Sequence, residues 1–171
     1  MNTTADVSAI EMLGAQHDEI ANMFDDLEDE TSLARKRQLF EALADALAVH
    51  VTIEERHFYP ALRAEETDGL LNDSLEEHLG IKRVLADIME TPLEDETFDA
   101  KASALRELVE MHVEEEERDL FPHAELLLDD TALVAIAGEM MATQDALVRR
   151  GDPRLTIPQE AGHAPDLASL R

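Results

Sequence analysis

The chain has 171 residues, a length that suits one domain. Its 40 Asp+Glu outnumber 14 Lys+Arg, for a formal charge of −26, which excludes non-specific binding to nucleic acid or to an anionic membrane surface, since both need basic residues. There is no Cys, so disulfides, thiolate zinc sites, iron–sulfur clusters and a Cys nucleophile are excluded, and His and carboxylate remain for metal chemistry.

The elements read as helices from end to end. Ile10, Leu13, His17, Ile20, Phe24 and Leu27 alternate steps of three and four, one stripe of a first helix capped by Asp6 or Ser8. A second helix starts near Ser32 with the stripe Leu39, Leu43, Leu47, His50, Glu54, Phe58, and Pro60 bends or ends it. After a break at Asp68-Gly69, a third helix from Asn72 or Asp73 carries His78, Ile81, Leu85 and Ile88. A fourth, opened by Thr97 or Asp99, carries Leu105, Leu108, His112, Glu116 and Leu120, with Pro122 near its end. No segment alternates long enough at period two to form a strand.

Four amphipathic helices with short turns predict an all-α, up-down-up-down four-helix bundle over residues 1–128. An additional C-terminal helix is expected over 129–150, packed on the bundle or at an oligomer interface. Residues 151–171, with three prolines and two glycines, read as a loose tail. No apolar run approaches the ~20 residues of a membrane span. The start, MNTTADVSAIEM, lacks the pattern of a secretory signal, so the cytoplasm is the expected location.

The most informative feature is an internal repeat. Residues 50–60 read HVTIEERHFYP and residues 112–122 read HVEEEERDLFP, an offset of 62 that pairs His50 with His112 and Glu54 with Glu116. His17 and His78 lie 61 apart, so each half is a helix pair with a lone His on one member and His-x3-Glu on the other. Residues four apart share a helix face, with β-carbons about 5–6 Å apart. His50/Glu54 and His112/Glu116 therefore each present an imidazole and a carboxylate to one point, and His17 and His78 sit within apolar stripes. All six aim at the bundle interior. Burying them without a metal costs several kcal/mol, whereas N/O donors suit iron, zinc, manganese or copper. Two carboxylates, one from each half, suit a dinuclear centre.

The order His17, His50-x3-Glu54, His78, His112-x3-Glu116, with Glu-Glu-Arg-x-x-Tyr/Phe-Pro closing both motifs, resembles the hemerythrin-like (HHE cation-binding) domain over roughly residues 8–125. The resemblance implies a non-haem di-iron centre. His17, His50, His78 and His112 would be terminal ligands and Glu54 and Glu116 bridges, with an oxo, hydroxo or water bridge completing it. Only the resemblance favours iron over manganese. Oxygen-carrying hemerythrins have a fifth His in a His-x3-His pair on the third helix. Here Ser74 and Lys82 flank His78 at that spacing. The sequence resembles instead the bacterial group with a symmetric ligand set, which implies peroxide decomposition, or binding and sensing of O2 or NO.

His57 lies three residues after Glu54 and seven after His50, so it faces roughly the same way, either as a ligand at an open position, a hydrogen-bond partner or a proton relay at the site, or as a half-exposed His near the helix end. Tyr59 can reach the metal pocket or pack at the bundle end. Glu55 and Glu117 lie about 100° round the helix from the bridging acids. The expected reaction is peroxide decomposition, with H2O2, O2 or NO as ligand and an unidentified electron donor. Ferritin-type iron storage fits poorly, because only Glu54-x-x-His57 matches the Glu-x-x-His pattern of such sites.

Overall fold

The computed structural model describes residues 6–170. Residues 1–5, part of the segment read for a secretory signal, and Arg171 lie outside the described residues. The chain forms α1 (Ala9–Asp29), α2 (Leu33–Ile53, prolonged by a π-helical segment Glu54–Phe58 and a last α turn Tyr59–Ala61), α3 (Asp68–Glu90), α4 (Phe98–Glu115, prolonged by a π-helical segment Glu116–Leu120 and an α segment Phe121–Leu127) and α5 (Asp130–Arg150). Among the described residues there is no strand, and no helix is long and apolar enough to cross a membrane.

Local chemistry sets the helix ends. Ser8 closes a capping box, its hydroxyl accepting from Glu11 N–H at 3.2 Å while Glu11 accepts from Ser8 N–H at 2.9 Å. Ser32 and Asp129 cap α2 and α5. The third helix begins at Asp68, one turn earlier than the sequence pattern indicates, so Gly69 lies inside its first turn.

The helices run up, down, up, down. Residues from the starts of α1 and α3 and the ends of α2 and α4 form one apolar cluster, including Leu13, Ile53, Phe58, Leu62, Leu71, Leu75 and Leu120. The opposite ends form a second, with Phe24, Leu27, Phe40, Leu43, Leu85, Ile88 and Phe98. Between them lies a polar layer. Helix α5 places Leu133, Ala137 and Met140 on the first cluster, so its apolar stripe faces its own bundle, while Met141 and Val148 are exposed singly.

The segment after Gly151 makes more fixed contacts than a loose tail implies. Gly151 adopts φ 84°, the left-handed region that a C-terminal glycine favours. Arg154 then pairs with Asp45 at 2.7 Å. Ile157 is buried in the second cluster and Leu167 in the first. Buried Ile157 and Leu167, with Leu170 packed partly buried against the first cluster, explain why it lies along α2 and α3. Ile157→Ala is expected to lower the unfolding free energy in urea by about 2–4 kcal/mol, the usual cost of a buried aliphatic truncation. A loss under about 0.5 kcal/mol, typical of a surface change, would show that the tail does not close that end.

Candidate metal centre

The polar layer holds His17 on α1, His50 and Glu54 on α2, His78 on α3 and His112 and Glu116 on α4, all buried. His17, His50, Glu54 and Glu116 offer donor atoms within 4.8 Å of one another, and Glu54, His78 and His112 form a second such group. Glu54 belongs to both. Its Oε1 lies 3.2 Å from His50 Nε2 and its Oε2 lies 3.0 Å from His78 Nε2. Glu116 Oε2 lies 3.4 Å from His17 Nε2 and 3.8 Å from His112 Nε2.

Each imidazole is held from behind. His17 Nδ1 donates to Glu117 at 2.8 Å, His50 Nδ1 to Gln16 at 2.9 Å, His78 Nδ1 to Glu55 at 2.9 Å and His112 Nδ1 to Glu77 at 2.7 Å. Every acceptor sits on the neighbouring helix, so the four bonds close a ring α1→α4→α3→α2→α1. A proton held at Nδ1 turns Nε2 inward, where it is a free lone pair in a neutral imidazole, and His78 Nε2 and His112 Nε2 lie 3.1 Å apart. The interior then holds lone pairs and carboxylate oxygens with too few donors. His17 Nε2, His50 Nε2, Glu54 Oε1 and Glu116 Oε2 are buried without a hydrogen-bond partner. Buried polar atoms are nearly always paired. A cation supplies what these four lack.

The hemerythrin HHE cation binding domain matches residues 8–124, the segment that carries all six side chains. The chain belongs to that family. It is 28% identical over 120 residues to uncharacterized proteins of Mycobacterium tuberculosis (Rv2633c) and Mycobacterium bovis (Mb2666c), covering 70% of this chain and 72% of each relative. It shares its fold with the crystal structure of a hemerythrin HHE cation binding domain-containing protein, the Rv2633c homolog from Mycobacterium kansasii. The TM-score is 0.76 at 24% identity, over 90% of this chain and 98% of the other.

In this HHE domain both glutamates open a π-helical segment, Glu54–Phe58 and Glu116–Leu120. Tyr59 N–H bonds Glu54 O and Phe121 N–H bonds Glu116 O, the i→i+5 pattern. Pro60 and Pro122 account for the position. A proline lacks N–H and its ring crowds the carbonyl four residues back, Arg56 or Arg118, and a wider turn relieves that clash.

The wider turn re-aims the following residues. Tyr59 swings over the site, and its hydroxyl lies 3.0 Å from Glu116 Oε1, 3.1 Å from His78 Nε2 and 3.4 Å from Glu54 Oε2. In the other half Phe121 stacks on His17, ring centroids 5.8 Å apart. His57, expected to face the site, does not. It turns toward α5, where its Nε2 pairs with Thr143 Oγ1 at 2.7 Å and its Nδ1 lies 3.5 Å from Glu139. The helical-wheel argument that aimed it inward assumes an unbroken α phase, which the extra residue of the π turn destroys.

The electrostatics of the layer are uneven. Burial pushes His50 down to about 3, and its outer partner is the neutral amide of Gln16. Burial also works against a charged His112, but the carboxylates of Glu116, Glu54 and Glu77 outweigh it and raise that group to about 10. Burial disfavours ionisation of Glu54, yet His50, His112 and His78 hold its carboxyl well below the ordinary range. Glu116 is raised, by burial and by the adjacent charge of Glu54.

Gln16 and Glu77 were not singled out in the sequence. They are repeat mates, each just before the lone His of its half, so extending the alignment by one residue finds them. Removing the outer partner is expected to weaken metal binding without abolishing it. Glu77→Ala should lose about 10–100-fold in affinity, read by competition with a chelator. Chelation should lower the unfolding midpoint of the wild type, since metal binds only the folded chain. Glu116→Gln should remove that difference, and metal-free Glu116→Gln should match or exceed metal-free wild type, a surplus buried charge having gone. A markedly less stable metal-free variant would mean the carboxylate is satisfied without a cation.

Proposed function

We propose that this HHE domain holds two non-haem iron ions and decomposes peroxide. The observation that carries the reading is the pair of buried donor groups sharing Glu54, with four orphaned atoms in the group of His17, His50, Glu54 and Glu116. The donor chemistry fits two cations. His17, His50 and Glu116 would hold one, His78 and His112 the other, and Glu54 both. Glu116, within 3.8 Å of His112 Nε2, would complete the bridge. All-N/O sets of imidazole and carboxylate suit iron. Bound there, two irons supply a two-electron redox couple.

The chain's own residues supply position and protons. The ring of Nδ1 bonds fixes the imidazoles without consuming their inward lone pairs. The two apolar clusters exclude bulk water. Disproportionation takes two protons from one peroxide and delivers two to another, so a group at the site that can lend a proton and recover it would serve both halves. The hydroxyl of Tyr59 is buried beside Glu116, His78 and Glu54. Burial and the charges of Glu116 and Glu54 raise it well above its ordinary value, so it keeps its proton. In this reading it would lend that proton to the peroxide that is reduced and recover one from the peroxide that is oxidised, the second proton passing through solvent, and His57, turned away, takes no part.

The test is metal analysis and oxygen evolution on one sample expressed with iron. About two irons per chain and oxygen release on adding peroxide are expected. Zinc alone, or no metal, would sink the di-iron reading. Iron with a stable, reversible oxygen adduct and no peroxide turnover would make the protein a binder instead. Tyr59→Phe should keep its iron and lose about tenfold or more in turnover, within the range for a single proton-transfer group, while His57→Ala changes neither. A visible absorption band that Tyr59→Phe abolishes would make Tyr59 a metal ligand rather than a proton holder.

A further inference from the structure

Resting on the di-iron reading, we propose that small uncharged ligands reach the centre through the α1–α4 cleft over His17, while Lys82 and the C-terminal tail plug the matching α2–α3 cleft over His78. The repeat makes the two clefts equivalent in backbone. What fills them differs.

The α1–α4 cleft has a volume of about 140 Å³ and ends on His17, between Ile20, Ala21 and Phe24 on one side and Val109 and Val113 on the other. Ala21 stands four residues after His17, so it lies one turn above it on the same face. A methyl group there leaves the cleft open. The outer hydrogen bond of His17 is open as well, because the side chain of Glu117 is 49% exposed.

The repeat mate of Ala21 is Lys82, four residues after His78. Its side chain is 3% exposed, and Nζ donates to both oxygens of Glu55 at 2.9 and 3.0 Å and reaches Glu160 of the tail at 3.1 Å. Glu55, the mate of Glu117, is 11% exposed. The depression that remains is lined by Thr52, Glu55, Arg56, Lys82, Glu160 and Pro165, and it stops at the Lys82 ion pairs without touching His78. A larger cavity of about 280 Å³ beside Gln16 and Gln144 also stops short, touching none of the six inward residues.

The open cleft selects by charge. Its throat is apolar, and Glu110 and Glu114 line its mouth. Arg106 beside it is shared among Asp25, Glu28 and Glu110, so the rim stays net negative. An anion approaching there is repelled and finds no donor to replace its water. Dioxygen and nitric oxide, small and neutral, meet neither barrier, and hydrogen peroxide, being uncharged, escapes the repulsion and loses only neutral hydrogen bonds.

The test uses the full chain loaded with iron. Association of nitric oxide with the reduced protein, and of azide with the oxidised protein, is followed by stopped flow. Ala21→Phe and, separately, Val113→Phe should slow nitric oxide at least tenfold, with iron content and the ferric absorption spectrum unchanged. Lys82→Ala should not slow it. Glu110→Gln with Glu114→Gln should speed azide at low salt and leave nitric oxide alone. Unslowed binding in both phenylalanine variants, or a loss of rate confined to Lys82→Ala, would overturn the route while leaving the metal reading intact. Wild type that binds no iron fails at the earlier step, and the route falls with it.

Discussion

Four imidazole Nε2 atoms and two carboxylates turned inward on the same small volume set the terms for the rest of this structure. A bundle core normally gains from having no polar atoms to satisfy. Here the core contains a full layer of them, and burying such groups unpaired is expensive. The chain contains the cost by tying each Nδ1 to an acceptor on the next helix, which converts the layer into a belt around the bundle. The apolar clusters on either side then serve two ends. They supply the hydrophobic stabilisation, and they keep water from satisfying the inward atoms, so that a cation is the group left to do it.

The six inward residues were legible because two independent periodicities agree on them. Helical spacing put His17, His50, His78 and His112 in apolar stripes, and the repeat chose Glu116 from the run Glu114–Glu117. The directions of His57 and Tyr59 were not legible by the same means. A helical wheel carries phase forward from residue to residue, so one π turn spoils every position beyond it. Glu54 and Glu116 open the π-helical segments and keep the phase of the α-helix before them, whereas His57 and Tyr59 come later. The clue is present in Pro60, which the sequence pattern allows to bend or end its helix, and in Pro122 near the end of the other. Proline after a wide turn is accommodated, and both helices run on past it, to Ala61 and Leu127. The tail was misjudged for a related reason. Its prolines and glycines argue against regular structure, but two apolar side chains, Ile157 and Leu167, are enough to seat an irregular segment.

The acid surplus also reads differently with the fold in view. Among the 40 Asp+Glu, Glu54 and Glu116 face inward, and Glu55, Glu77 and Glu117 stand behind imidazoles. The contribution of these three is directional. A carboxylate behind Nδ1 fixes the tautomer and raises the basicity of the opposite nitrogen. His50 is the exception, with Gln16 behind it, so its Nε2 is the least basic of the four.

That exception belongs to a pattern. The two halves agree at every inward His and Glu and differ in the layer around them: Gln16 against Glu77, Tyr59 against Phe121, Ala21 against Lys82, His57 against Asp119. On the di-iron reading the repeat would supply each metal position with two imidazoles, and such a ligand set does not by itself distinguish a carrier from a catalyst. On that reading the differences would decide which end of a bound ligand meets a proton, which side faces the solvent and which imidazole binds most weakly, so specific chemistry would reside in the residues that break the repeat, and the shared motif would account only for holding the metal.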